Sequence, residues 1–204
     1  MKKIVFIALP TTEKLKKEVF TVNGDVSMKN GSEIYFTITP ALFTDMYEGD
    51  EFNIYLIPTN GKEDGVDKAT SLFIEEINRY NNKNNNVKFV IESLKNSFDV
   101  LAFEKTYKEM IRKFEDGAEV YVDLTYGSKA LSLLILNVVS FGKKYFKMDI
   151  GGIFQGIHDV GKDKKDIYDL TRLYCLNGLI MESDYENSEK AIEGFDVRFS
   201  PVPF

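Results

Sequence analysis

Three stretches of this chain are apolar almost without interruption for the length of a strand: KIVFIAL at 3–9, FNIYLIPT at 52–59 and AEVYVDL at 118–124. A strand that alternates polar and apolar residues can leave one face in water, but a strand apolar on both faces cannot. Only a sheet covered on both sides hides such runs, and that means parallel strands joined by helical crossovers. The intervening segments have the period this requires. VDKATSLFIEEINRYNN sets Ala69, Leu72, Phe73, Ile77 and Tyr80 at helical spacing, and VLAFEKTYKEMIRKF does the same with Leu101, Tyr107, Met110, Ile111 and Phe114.

The remaining segments fit the same alternation. VKFVIESL supplies a strand between those two helices, and Gly117 closes the second of them. FKMDIGGIFQG reads as a fifth strand, GKDKKD as a solvated loop, and IYDLTRLYCLNGLI as a last helix. After the first strand, EVFTV and EIYFTI alternate and are separated by NGDVSMKNGS, where Asn23-Gly24 and Asn30-Gly31 signal turns, so a small hairpin is expected. TPALFTDMY reads as a short helix with Thr39 as N-cap and Pro40 at its first position. NNKNNN is a polar helix exit. The whole predicts an α/β protein: a doubly wound, Rossmann-like, mostly parallel sheet with helices on both faces and a β-hairpin insertion after the first strand. One domain is expected over residues 1–204, with a core at about 2–181 and an irregular tail at 182–204.

Composition removes several function classes. A formal net charge of -6 argues against broad contact with duplex nucleic acid, though a small anionic ligand needs only a few local donors. The single cysteine, Cys175, can form no internal disulfide, and the cytoplasm suits it. One histidine, His158, and no Cys/His cluster leave no zinc site and no metal to expect. MKKIVFIALPTT imitates a signal peptide, but its apolar run is short and reads as a buried strand. The longest apolar stretch, Ala130 to Phe141, falls below the roughly 18 residues of a membrane span.

The most informative junction is VYVDLTYGSKALSLLILNVVSFGKK at 120–144, where a strand ends in small, hydroxylic and cationic residues and a helix begins at about 127. In an open parallel sheet, ligands bind beyond the carboxyl ends of the strands, where helix N-termini point. The first amides of that helix have no partner within it, and its macrodipole places partial positive charge there. Thr125 and Ser128 offer hydroxyls, Gly127 lets backbone approach closely, Lys129 brings a full charge, and Tyr126 can line the wall. These are the properties of a phosphate cradle. Simple capping by Asp123, Thr125 and Ser128 accounts for the same residues equally well. Pro10, Thr11 and Thr12 end the first strand, which in doubly wound sheets lies near the fourth, and Phe154, Gln155 and Gly156 end the fifth. No G-x-x-x-x-G-K-[ST] occurs, and LPTTEK lacks the glycines of a dinucleotide turn, so no cofactor is expected.

VYVDLTYGSKALSLLIL resembles the strand-turn-helix signature of CARF domains, the CRISPR-associated Rossmann-fold sensors. The most similar branch carries an Asp-Leu-Thr-His-Gly motif followed by a basic residue; here DLTYGSK has Tyr126 at the usual histidine and Lys129 at or near the usual arginine. The hairpin, PALF, IPTNG, and FQG followed by IYDLTRL occur in the expected order, and the resemblance covers roughly residues 2–181. It implies a two-fold homodimer that binds cyclic oligoadenylate, cyclic tetra-adenylate before hexa-adenylate, in type III CRISPR antiviral defence. Ligand-binding residues carried over by motif are Thr11, Thr12, Thr125, Gly127, Ser128 and Lys129; Pro10, Asp123, Tyr126, Phe154 and Gln155 complete the candidate set. Some stand-alone relatives are metal-independent ring nucleases that leave 2′,3′-cyclic phosphate ends, a role in which Lys129 and Thr12 would be the catalytic residues. The chain is then either a sensor alone or a sensor cut from a longer effector. The residues by themselves also fit an orphan enzyme acting on a mononucleotide or sugar phosphate with Asp123 or Asp169 as base, or a regulatory module whose polar turns are only caps.

Overall fold

The computed structural model describes residues 1–10, 17–23, 33–44, 46–58, 63–81, 87–94, 100–159, 164–182 and 190. Packing divides the chain into two compact units, Met1–Thr171 and Arg172–Phe204. The first holds the strands β1 (Lys2–Leu9), β2 (Glu18–Val19), β3 (Thr21–Asn23), β4 (Glu33–Ile34), β5 (Glu51–Pro58), β6 (Lys88–Ser93), β7 (Glu119–Asp123), β8 (Asp149–Asp159) and β9 (Lys164–Asp169). It also holds the helices α1 (Thr39–Thr44), α2 (Glu63–Asn81), α3 (Val100–Ile111) and α4 (Lys129–Tyr145). Helix α5 (Thr171–Glu182) belongs to the second unit from Arg172 on.

Seven strands form one sheet in the order β3-β9-β8-β7-β1-β5-β6. Every neighbouring pair is parallel except β8 with β9. β1 lies at the centre between β5 and β7 and is buried from Lys3 to Leu9. Its two faces explain its unbroken apolar run. Val5, Ile7 and Leu9 join Phe36, Ile38, Leu42, Phe73 and Ile77 in the core beneath α1 and α2. On the opposite face Phe6 meets Tyr55 and the edge of Phe114, whose ring also lies against Gly142 of α4. α1 touches α2, and α3 packs beside α4. The result is the doubly wound, Rossmann-like α/β architecture expected from the sequence.

Three local expectations are corrected. EIYFTI alternates like a strand, yet only Glu33 and Ile34 pair, antiparallel to Glu18 and Val19. Beyond Ile34 the backbone donors go to buried carboxylates instead of to a neighbouring strand. The expected hairpin is thus reduced to the small β2/β4 sheet, while β3 leaves it to pair with β9; the turn residues 24–32 lie outside the described residues. Second, Lys164–Asp166, read as loop, and Ile167–Asp169, read as helix, together form β9. Its charged composition hides the strand, but its partner β8 runs on to Asp159 and sets Phe154 opposite Asp169. Third, α3 stops at Ile111, and Gly117, with φ 68°, belongs to the turn that enters β7.

At the amino edge of the sheet Lys3 is 1% exposed, with its Nζ 3.3 Å from Asp50 and 3.4 Å from Glu119. Its ammonium also lies 5.4 Å from the Phe52 ring centre and 5.6 Å from that of Tyr121. Asp50 accepts further bonds from the Met1 amine at 2.9 Å and the Tyr47 amide at 3.0 Å. Burial alone would raise the Asp50 pKa, but these donors and the nearby Lys3 together bring it below the ordinary carboxylate value.

Candidate functional site

From β1 the chain adds β5 and β6 on one side, then returns to the other side of β1 for β7 and β8. The switch point therefore lies between β1 and β7, and a crevice at their carboxyl ends is where such a sheet receives a ligand. Register sets Ile7 beside Asp123, so Leu9 and Pro10 of the first strand and the β7–α4 turn lie at the same edge. The expected adjacency of the first and fourth strands of the α/β core is present. The turn is also tied to the next strand, because the Leu124 amide donates to the Phe154 carbonyl at 2.8 Å.

The turn itself is shaped by two residues. Gly127 has φ 113°, a conformation that side-chain-bearing residues rarely adopt. Ser128 is the N-cap of α4: its backbone is extended and its Oγ accepts from the Leu131 amide at 3.1 Å. That bond satisfies one of the first helical amides; those of Lys129 and Ala130 have no carbonyl to reach inside the helix. Gly127 and Lys129 are exposed, and Ser128 is half-buried. Tyr126 is half-buried and its hydroxyl donates to the Tyr35 carbonyl at 3.4 Å. Burial, followed by the charges of Asp123, Glu18 and Glu76, raises the Tyr126 phenol well above its ordinary pKa. At neutral pH it is a hydrogen-bond donor and not a base.

Beneath the turn lies a buried polar network. Asp123 has no exposed surface. Its Oδ1 accepts from the Thr125 amide at 2.8 Å, and its Oδ2 accepts from the Thr37 hydroxyl at 2.8 Å and the Ile38 amide at 3.2 Å. The Thr37 and Thr125 hydroxyls bond each other, and Thr125 Oγ1 accepts from the Gly156 amide at 2.8 Å. A second buried acid, Glu76 of α2, holds the same segment from its other side: it accepts from the amides of Tyr35 and Phe36 and from the Thr39 hydroxyl. The chain from Tyr35 to Thr39 is a strap held between two carboxylates. Burial raises the pKa of both acids, and the surrounding donors offset that only in part.

The residues singled out by sequence are distributed unevenly. Thr11 and Thr12 lie outside the described residues. Pro10, Asp123 and Phe154 are buried, Thr125, Tyr126, Ser128 and Gln155 are half-buried, and Gly127 and Lys129 are exposed. Phe154 packs over Gly152, where a Cβ would stand 2.3 Å from its ring. Thr39 begins α1, and its hydroxyl donates to Glu76. Sequence reasoning missed Thr37 and Glu76. Glu76 carried a signal: it falls seven residues after Ala69 and three after Phe73, an acid on the apolar side of its helix.

Fold and site together define a Rossmann-like α/β protein with a polar, glycine-containing turn at its switch point. No protein-family model matches the chain, and no curated protein matches it. Among the described residues no group of His, Cys, Asp or Glu is placed to hold a metal ion, and no helix is long and apolar enough to cross a membrane.

Proposed function

We propose that this chain is a receptor for cyclic oligoadenylate, cyclic tetra-adenylate before hexa-adenylate, acting as a two-fold homodimer in type III CRISPR defence. The observation that carries the reading is the Thr125–Lys129 turn: it stands at the switch point, with Gly127 and Lys129 exposed at the start of a 17-residue helix. The resemblance of DLTYGSK and its flanking motifs to CARF domains supplies the ligand class. A ring of adenylates carries one negative charge per phosphate and has rotational symmetry, and a two-fold dimer presents each turn to it twice. With a net charge of -6 the chain cannot attract such a ring by its overall field, so the contacts have to be local: unpaired amides, the Ser128 hydroxyl and Lys129. Asp123, being buried, holds the turn and does not touch the ring.

Ring cleavage, in this reading, proceeds by attack of a ribose 2′-hydroxyl on the adjacent phosphorus. The P–O5′ bond breaks, and a 2′,3′-cyclic phosphate is left. Lys129 stabilises the charge that develops on the phosphoryl oxygens and Thr12 orients the attacking hydroxyl. Calorimetric titration with both rings tests the receptor reading; one ring per two chains is the expected stoichiometry, and no binding of either ring rejects it. Lys129→Ala should weaken binding by about tenfold or more, the worth of a charged phosphate contact. Incubation of labelled ring in chelator tests cleavage separately.

A further inference from the structure

We infer that Thr37, in the strap before α1, is a positioning residue for the β7–α4 turn. Proton bookkeeping carries the argument. Thr37 has one hydroxyl hydrogen, and it points to Asp123 Oδ2 at 2.8 Å. The hydrogens of the two threonine hydroxyls are both spent inside this cluster, on the bond that joins the two oxygens and on the Asp123 carboxylate, to which both side chains bond, while Thr125 Oγ1 accepts from the Gly156 amide at 2.8 Å. The chain of bonds links Gly156, Thr125, Thr37 and Asp123, and it consumes both hydroxyls. Thr125 consequently has no hydrogen to offer a ligand, although its place in the motif suggests a ligand donor. Its role, like that of Thr37, is to fix three segments at one point: the strap, the turn and β8 at Gly156, inside the strand and not at its end as the sequence suggested.

Packing at the same point is as tight as the bonding. A Cβ on Gly156 would stand 2.6 Å from Thr37 Cγ2 and 3.0 Å from Thr125 Cγ2. The strap continues from β4, which pairs with β2, and its other end is bound to Asp123 and Glu76. Thr37 thus sets the backbone of Tyr126–Lys129 without facing the crevice, since it is wholly buried.

The inference takes the turn as the ring-binding element and rests on the proposed function for its binding arm. Thr37→Val keeps the shape and removes the hydroxyl, whereas Thr37→Ser keeps the hydroxyl. In the ligand-free full chain, residue-resolved amide exchange should accelerate in Thr37→Val at Ile38, Thr125 and Gly156 by about tenfold, one charged hydrogen bond's worth, and not in β5 or β6. Thr37→Val should bind cyclic tetra-adenylate about tenfold more weakly, with Thr37→Ser close to wild type. Phe114→Leu, on the opposite face of the sheet, should lower stability while leaving affinity unchanged. Thr125→Val cuts the same chain of donors and should repeat the pattern if Thr37→Val does not fold. Exchange unchanged at the three amides, or raised uniformly through the sheet, overturns the inference, as does a local rise with unaltered affinity. If wild-type protein binds neither ring, the proposed function falls, and the exchange pattern alone decides whether Thr37 sets the turn.

Discussion

Gly156 and Thr37 should be energetically coupled, and the size of the coupling follows from the space between them. A methyl group at residue 156 would meet Thr37 Cγ2 at 2.6 Å, Thr125 Cγ2 at 3.0 Å and Phe20 Cε1 at 3.3 Å. Thr37 is fully buried and hydrogen-bonded to Asp123, so it cannot simply swing away. Overpacking of this kind costs about 1–3 kcal/mol. Burial of the new methyl and the lost flexibility of glycine each return under about 1 kcal/mol, so Gly156→Ala should destabilise by about 1 kcal/mol net. Thr37→Ser removes the clashing methyl, keeps the hydroxyl and costs about 1 kcal/mol alone. Together they should cost less than their sum by about 1 kcal/mol, because the new methyl fills the space the old one left. Urea midpoints at constant slope give the four values; with no tryptophan and 11 tyrosines, circular dichroism or tyrosine emission is the signal. Additivity within about 0.3 kcal/mol would show that the strap does not press on β8 and would refute the geometry.

Two further predictions concern buried charge. Lys3→Met leaves Asp50 and Glu119 without their shared cation and should destabilise by about 3 kcal/mol, read as a fall in urea midpoint; a neutral result would mean that the cation contributes nothing net. For Glu76 and Asp123, both raised by burial, the native protein holds more protons than the unfolded chain between the ordinary and the raised pKa, so their contribution to stability falls as pH rises through that window. Asp50, lowered, contributes stability above its unfolded pKa that is lost as pH falls through the folded value. Glu76→Gln should flatten the decline on the alkaline side of the window, and an unchanged pH profile of urea midpoints would count against it.

What could be read from sequence was what is local and periodic. β1 and β5 announce themselves because both of their faces are buried, and α2 does so because Ala69, Phe73 and Ile77 repeat at helical spacing. β9 was hidden because three of its first residues, Lys164, Lys165 and Asp166, are charged, and only its antiparallel partner β8 makes them a strand. The strap was hidden for a different reason. Tyr35 to Ile38 alternates correctly for a strand, and no local property says that its amides are taken by acids 41 and 85 residues away. Polar ties of that length have no period in sequence. The turn was legible in composition, but the division of labour within it was not: Thr125 and Ser128 look alike on paper, and one is spent in the interior while the other caps α4.

That division bears on how an acidic chain would hold the anion proposed for it. Asp123 lies directly under the turn and, when ionised, sets negative potential beneath the place where a phosphate would rest. Four donors share its charge, and two of them, Thr37 and Ile38, come from the strap, while the Thr125 hydroxyl and amide come from the turn. The strap therefore absorbs charge that would otherwise oppose the α4 N-terminus. On the outer side Gly127 and Lys129 are exposed, and the N-terminus of α4 adds partial positive charge. For the anion proposed here, a carboxylate fully occupied on its inner side would oppose the ligand less than one left unpaired. If the turn binds the ring as proposed, loosening the strap should weaken binding even though every residue proposed to meet the ligand is left in place.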